Sequence, residues 1–152
     1  MLRKSIESPI VTLCLCAFIS LAAMSAEARD TEVTLSAKAA AESDSGQSAL
    51  FDVPFFMKGQ KHPPVEKNIK QVSTHQSTRG AFRGDDSSCR VAFLSSMKVL
   101  QSRAQDAGGD AVIDIVSITR NKKTESATDF RCVAGTFVVH VGLRGTIVKL
   151  KE

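Results

Sequence analysis

From Cys89 the apolar residues Phe93, Met97, Leu100, Ala104 and Ala107 follow at steps of four, four, three, four and three. That spacing places them along one stripe of a helix. Lys98, Gln101, Arg103 and Gln105 take more polar directions, Asp86, Ser87 or Ser88 serves as cap, and Gly108-Gly109 supplies a left-handed stop. The pattern predicts one main helix, Ser87 to Gly108, with Cys89 on its buried side.

The pattern then changes. "AVIDIVSIT" (111–119) is rich in β-branched residues and apolar on both faces, as a central strand under a helix requires. Asp114 interrupts it, and a carboxylate there needs donors or an exposed edge. After the polar connection 120–129, residues 130–150 supply one long strand or two shorter ones. If 130–138 is regular, Phe130, Cys132, Ala134, Thr136 and Val138 share a face.

Upstream, "VEKNIKQVSTHQ" (65–76) reads as a half-exposed strand followed by a loop, "STRGAFRGDD". "FDVPFFMKG" (51–59) reads as an apolar segment docked on the core, with a short edge strand beside Pro54. Residues 34–50 are rich in Ala and Ser. They form either a short helix capped by Ser36 or a leader outside the core. The expected fold class is α+β: one main amphipathic helix on a mainly antiparallel sheet of three to five strands, with 111–119 and 130–138 among them.

The N-terminus bears on compartment. Arg3 and Lys4 precede an apolar stretch from Ile10 to Met24 and the small residues Ala26 and Ala28, the pattern of a cleavable secretory signal. The stretch of about 15 residues is short of the ~20 that a spanning helix needs, so no stable transmembrane anchor is expected after cleavage. The expected organisation is a signal at 1–28, an acidic Ala/Ser-rich leader at 29–50 and one domain at 51–152. The expected location is periplasmic or secreted.

Signal removal takes Cys14 and Cys16 with it and leaves Cys89 and Cys132 in an oxidising space, where a disulfide is the leading reading. Two alternatives are weaker. A reactive Cys89 at a helix start has no C-x-x-C partner, and zinc lacks a ligand set, because His62, His75 and His140 are scattered. No metal and no cofactor is expected.

The whole chain has a net charge of +4, and losing the two basic and two acidic residues of 1–28 leaves it there. That charge is concentrated. Residues 57–84 carry Lys58, Lys61, Lys67, Lys70, Arg79 and Arg83 against Glu66 alone. The functional reading is contact with an anionic envelope component, and the plainer one is a solvated face. Nucleic acid is disfavoured because Phe82 is the one Phe, Tyr or Trp in the segment to stack on bases.

The order "C..AF..SM..LQ..A...GGDAVIDIVSI", then "T.F.C.AGTFVVHVGLRGTIVKL", resembles a family of small secreted bacterial proteins that carry the label excinuclease ABC, or excinuclease ATPase subunit, over roughly residues 51–152. More distantly, the cysteine-bearing helix leading into this strand is similar to compact envelope α+β domains such as the Rcs stress-sensor lipoprotein. This chain lacks that sensor's lipid attachment and second disulfide. The excinuclease label implies a nucleotide-binding G-x-x-x-x-G-K-[ST] and paired zinc cysteines, and neither is in the sequence.

No G-x-S-x-G presents a serine nucleophile, and adjacent Asp85 and Asp86 suit a helix start better than a cation site. The expectation is a non-catalytic protein that binds or senses an envelope component, whether an anionic molecule or a protein. A thiol-disulfide redox protein using Cys89 and Cys132 is the rival. Nucleic-acid binding through 57–84 is the third reading.

Overall fold

The computed structural model describes residues 29–80 and 84–151. The segment 1–28, expected to be a signal, and Arg83 lie outside the described residues. In chain order the elements are β1 (Asp30–Ser36), α1 (Ala37–Glu42), α2 (Asp44–Ala49), β2 (Phe55–Met57), β3 (Val65–Arg79), α3 (Asp85–Asp106), β4 (Ala111–Ser117), β5 (Asp129–Gly135) and β6 (Val138–Leu150). Among the described residues no helix is long and apolar enough to cross a membrane.

The class is α+β, with one main helix on a mixed, mainly antiparallel sheet of six strands, one more than the largest sheet expected. β6 is its axis. One edge of β6 pairs with β3 along nearly its whole length, while the other pairs with β5 at Val139 and His140 and with β4 from Leu143 to Val148. β1 extends the sheet beyond β5, and β2 lies beyond β4 in the one parallel pair among the described residues. The apolar 55–57 segment is thus an edge strand next to Pro54, as its composition implied.

The main helix starts two residues earlier than its pattern predicts. Gly84, at φ 75°, occupies the N-cap without a side-chain bond, and Asp85, Asp86, Ser87 and Ser88 form the first turn instead of capping it. The two aspartates there complement the positive end of the helix dipole. Gly108, at φ 66°, follows the Ala107 C-cap as the left-handed exit.

The expected stripe is buried: Cys89, Phe93, Met97, Leu100 and Ala104 are fully covered by Val112 and Ile115 of β4, Phe130, Cys132 and Ala134 of β5, and Val139, Val141, Leu143 and Ile147 of β6. Phe93 stacks on Phe130 with ring centroids 4.1 Å apart. Cys89 and Cys132 are bonded to each other with Cα atoms 5.8 Å apart. The face shared by Phe130, Cys132 and Ala134 ends there, because the strand closes at Gly135 and the chain turns through Thr136 and Phe137 into β6.

Two features depart from the sequence pattern. Gln101 is buried, not solvated: its side-chain oxygen accepts from the Phe51 N–H at 2.9 Å, and its Nε2 donates to the Phe51 and Val53 carbonyls at 2.9 and 2.8 Å. One amide side chain thereby replaces a strand partner for 51–53. The second departure concerns the leader. Ser36 does cap a short helix, accepting from the Ala39 N–H at 3.2 Å, but residues 30–36 pair with β5, and Ala37 and Ala40 are buried in the main core. A strand whose apolar set is only Val33 and Leu35 gives a weak periodic signal, so pairing with β5 decides its structure.

Candidate functional site on the open sheet face

Side chains alternate across a strand, so β6 turns Val139, Val141, Leu143 and Ile147 to the helix and His140, Arg144 and Thr146 to the opposite face, with Gly142 among them. β3 adds Gln71, Ser73, His75 and Ser77 to that second face, paired with Thr146, Arg144, Gly142 and His140 respectively. No helix among the described residues covers it. One end is closed by a small apolar cluster in which Phe56, Val65 and Leu150 pack on Ala111, Ile113 and Val148. The remainder is polar and contains two adjoining depressions.

The larger depression, about 330 Å³, lies between β3 and the 118–121 turn, with His75, Ser77, Thr119, Arg120, His140 and Gly142 in its wall. Its floor is where β6 changes partner from β4 to β5. There the turn docks on Gly142 from both sides: the Ile118 N–H donates to the Gly142 carbonyl at 2.8 Å, and the Gly142 N–H donates to Thr119 Oγ1 at 3.2 Å. A side chain at Gly142 would sit 2.8 Å from the His75 ring and 3.2 Å from the Ile118 carbonyl, so glycine is what lets the imidazole lie across β6. Arg120 and Asn121 hold φ values of 54° and 58°. The left-handed region is uncommon for such residues and collects at functional sites. Arg120 bonds Asp30, while Glu32 holds the buried Arg131.

The smaller depression, about 160 Å³, is lined by Lys58, Gln71, Asp114, Val116, Lys123, Glu125, Arg144 and Thr146. Asp114 meets the first of the two alternatives its sequence position left open, a donor, on a strand that is internal to the sheet. It stands at the β4 bulge between Ile113 and Val116 with φ 54°, and it accepts from Lys58 Nζ at 3.0 Å. Aspartate tolerates that conformation better than the β-branched residues around it. The hydrogen bond to Asp114 holds the Lys58 ammonium above the ordinary lysine range, and Lys123 beside Glu125 holds that carboxyl below its own. Arg144 lines the same depression as these two ion pairs and has no salt bridge of its own among the described residues.

The basic segment is not gathered into this site. Lys58 alone lines it. Lys61 is in the loop after β2, and Lys67, Lys70 and Arg79 are strung along β3, an edge strand whose two ends are about 45 Å apart at strand rise. Lysines on such an edge oppose pairing with another sheet. The sequence pattern does not single out His75, His140, Arg120 and Arg144 as a group. Alternation along 138–144 places His140 and Arg144 together, but the β3 register that adds His75 and the turn that adds Arg120 are long-range features.

Compared with known family models, curated proteins and solved structures, the chain shows no significant match. The site is therefore interpreted from its own chemistry.

Proposed function

We propose that this chain is a non-catalytic periplasmic or secreted protein that binds an anionic envelope component on the open face of its sheet. The observation that carries the reading is the 330 Å³ depression itself: His75, His140 and Arg120 line it, and no carboxylate does. Arg144 continues the cationic side chains toward the neighbouring depression. A buried disulfide accords with an oxidising compartment. The redox alternative has less support, because both cysteines are fully covered and exchange needs a thiolate to reach a sulfur. Binding of nucleic acid along β3 has no Phe, Tyr or Trp on that strand for stacking.

Sedimentation with vesicles of phosphatidylcholine, alone or mixed with phosphatidylglycerol, tests the lipid source of such an anion, and titration with a soluble anionic polysaccharide tests the other. The expected result is salt-sensitive binding to one of them that Arg144→Ala weakens. Failure of the wild-type protein to bind either at low salt would overturn the reading.

A further inference from the structure

We propose that the depression between β3 and the 118–121 turn is a site for a tetrahedral oxyanion, a phosphate or sulfate group, held by Arg120 and by His75 and His140 in their protonated state. The proposal rests on the anion-binding reading above and gives it a chemical class and a pH dependence.

The two histidines are diagonal neighbours on one face of a strand pair, with His75 opposite Gly142 and His140 opposite Ser77. Such positions are about 7–8 Å apart, within reach of long side chains. The His75 Nε2 lies 3.1 Å from where a Gly142 side chain would begin, so this ring already extends over β6 toward the strand that carries His140. Arg120, whose guanidinium also bonds Asp30, lines the same depression from the turn, and Ser77 adds a hydroxyl. Donors thus converge from three separate elements, β3, β6 and the turn. That suits an anion with oxygens pointing several ways better than a planar carboxylate. The cavity has room for about ten waters, enough for such a group with part of its hydration shell.

The surrounding charges favour an anion over a metal ion. Arg144 follows His140 on the same face of β6, and Arg79 ends β3 on the same face. Asp30 and Glu32 of β1, the carboxylates that the 118–124 connection contacts, are already engaged by Arg120, Arg131 and Lys122. α3 packs on the other face and contributes no charge here. Two imidazoles beside a guanidinium make a poor cation site, and the described residues contain no group of three or more His, Cys, Asp or Glu suited to a metal. A protonated imidazole donates from both ring nitrogens and carries a positive charge, so acidification favours an anion in this cavity.

Sulfate is the decisive probe because it remains a dianion while the imidazoles titrate. Titration calorimetry of the mature protein with sulfate is expected to show affinity about tenfold or more higher near pH 5.5 than near pH 8. His75→Gln and His140→Gln should each reduce that ratio, and the double variant should abolish it. Both histidines are exposed, so circular dichroism should show the variants folded. Sulfate affinity that is equal at both pH values, or indifferent to both substitutions, would overturn this proposal while leaving the broader reading to the vesicle and polysaccharide tests. Zinc binding near pH 8 that needs both histidines, without sulfate binding, would overturn it in favour of a metal site.

Discussion

On the helix-covered face of the sheet, β6 presents Val139, Val141, Leu143 and Ile147 to a disulfide and a stacked phenylalanine pair; on the other it presents His140 to one polar depression and Arg144 and Thr146 to a second. The same thirteen residues therefore serve two purposes. Burial on one face supplies the stability that allows the other to keep exposed imidazoles, arginines and left-handed residues. Strain at Asp114, Arg120 and Asn121 falls on the open side or in the turn beside it. None of these three left-handed residues belongs to the helix-covered core. That division is how a small domain maintains an adaptable surface without loosening its core.

The comparison can be broken most severely from the covered side. Phe93→Ala removes one ring of the Phe93–Phe130 stack from a fully buried site, and urea unfolding should report a loss of about 3–5 kcal/mol. Arg144→Ala, on the opposite face, should stay within about 0.5 kcal/mol of wild type. Comparable losses from both would erase the distinction between the faces.

The next effect sharpens the role of the disulfide. It closes a span of 43 residues between the start of α3 and the middle of β5, fastening the helix to the sheet. Cys132→Ser should lower stability by about 2–5 kcal/mol and leave Cys89 open to thiol reagents only on unfolding. Labelling of Cys89 in the folded variant would instead reveal a thiol accessible for chemistry. A smaller effect has the opposite sign. Ser88 Oγ is buried without a hydrogen-bond partner among the described residues, so Ser88→Ala should raise stability by about 1 kcal/mol in the same assay.

The covered face was largely legible in the sequence, because burial imprints a period. The stripe from Cys89 to Ala104 gave the helix face, the β-branched run at 111 gave β4, and two cysteines on apolar faces gave the bridge. Gln101 escaped that logic since its partners, the 51–53 backbone groups, carry no side-chain signature. The open face was nearly silent. His75 and His140 are 65 residues apart and meet only through the β3–β6 register, which bulges near Val65 and Asn68 shift. Arg120 joins them through a left-handed turn at a position with no glycine to announce it. The basic run at 57–84 stands out by composition, yet pairing sets Lys67, Lys70 and Arg79 apart along an edge strand.

Mapping backbone amide shifts by NMR while sulfate is added near pH 5.5 tests the central claim most directly. The division of labour between the faces predicts shifts that cluster at His75, Ser77, Arg120, His140 and Gly142, with α3 and the covered strand positions unmoved. Shifts centred on Lys61, Lys67 and Lys70, or none at all, would contradict it.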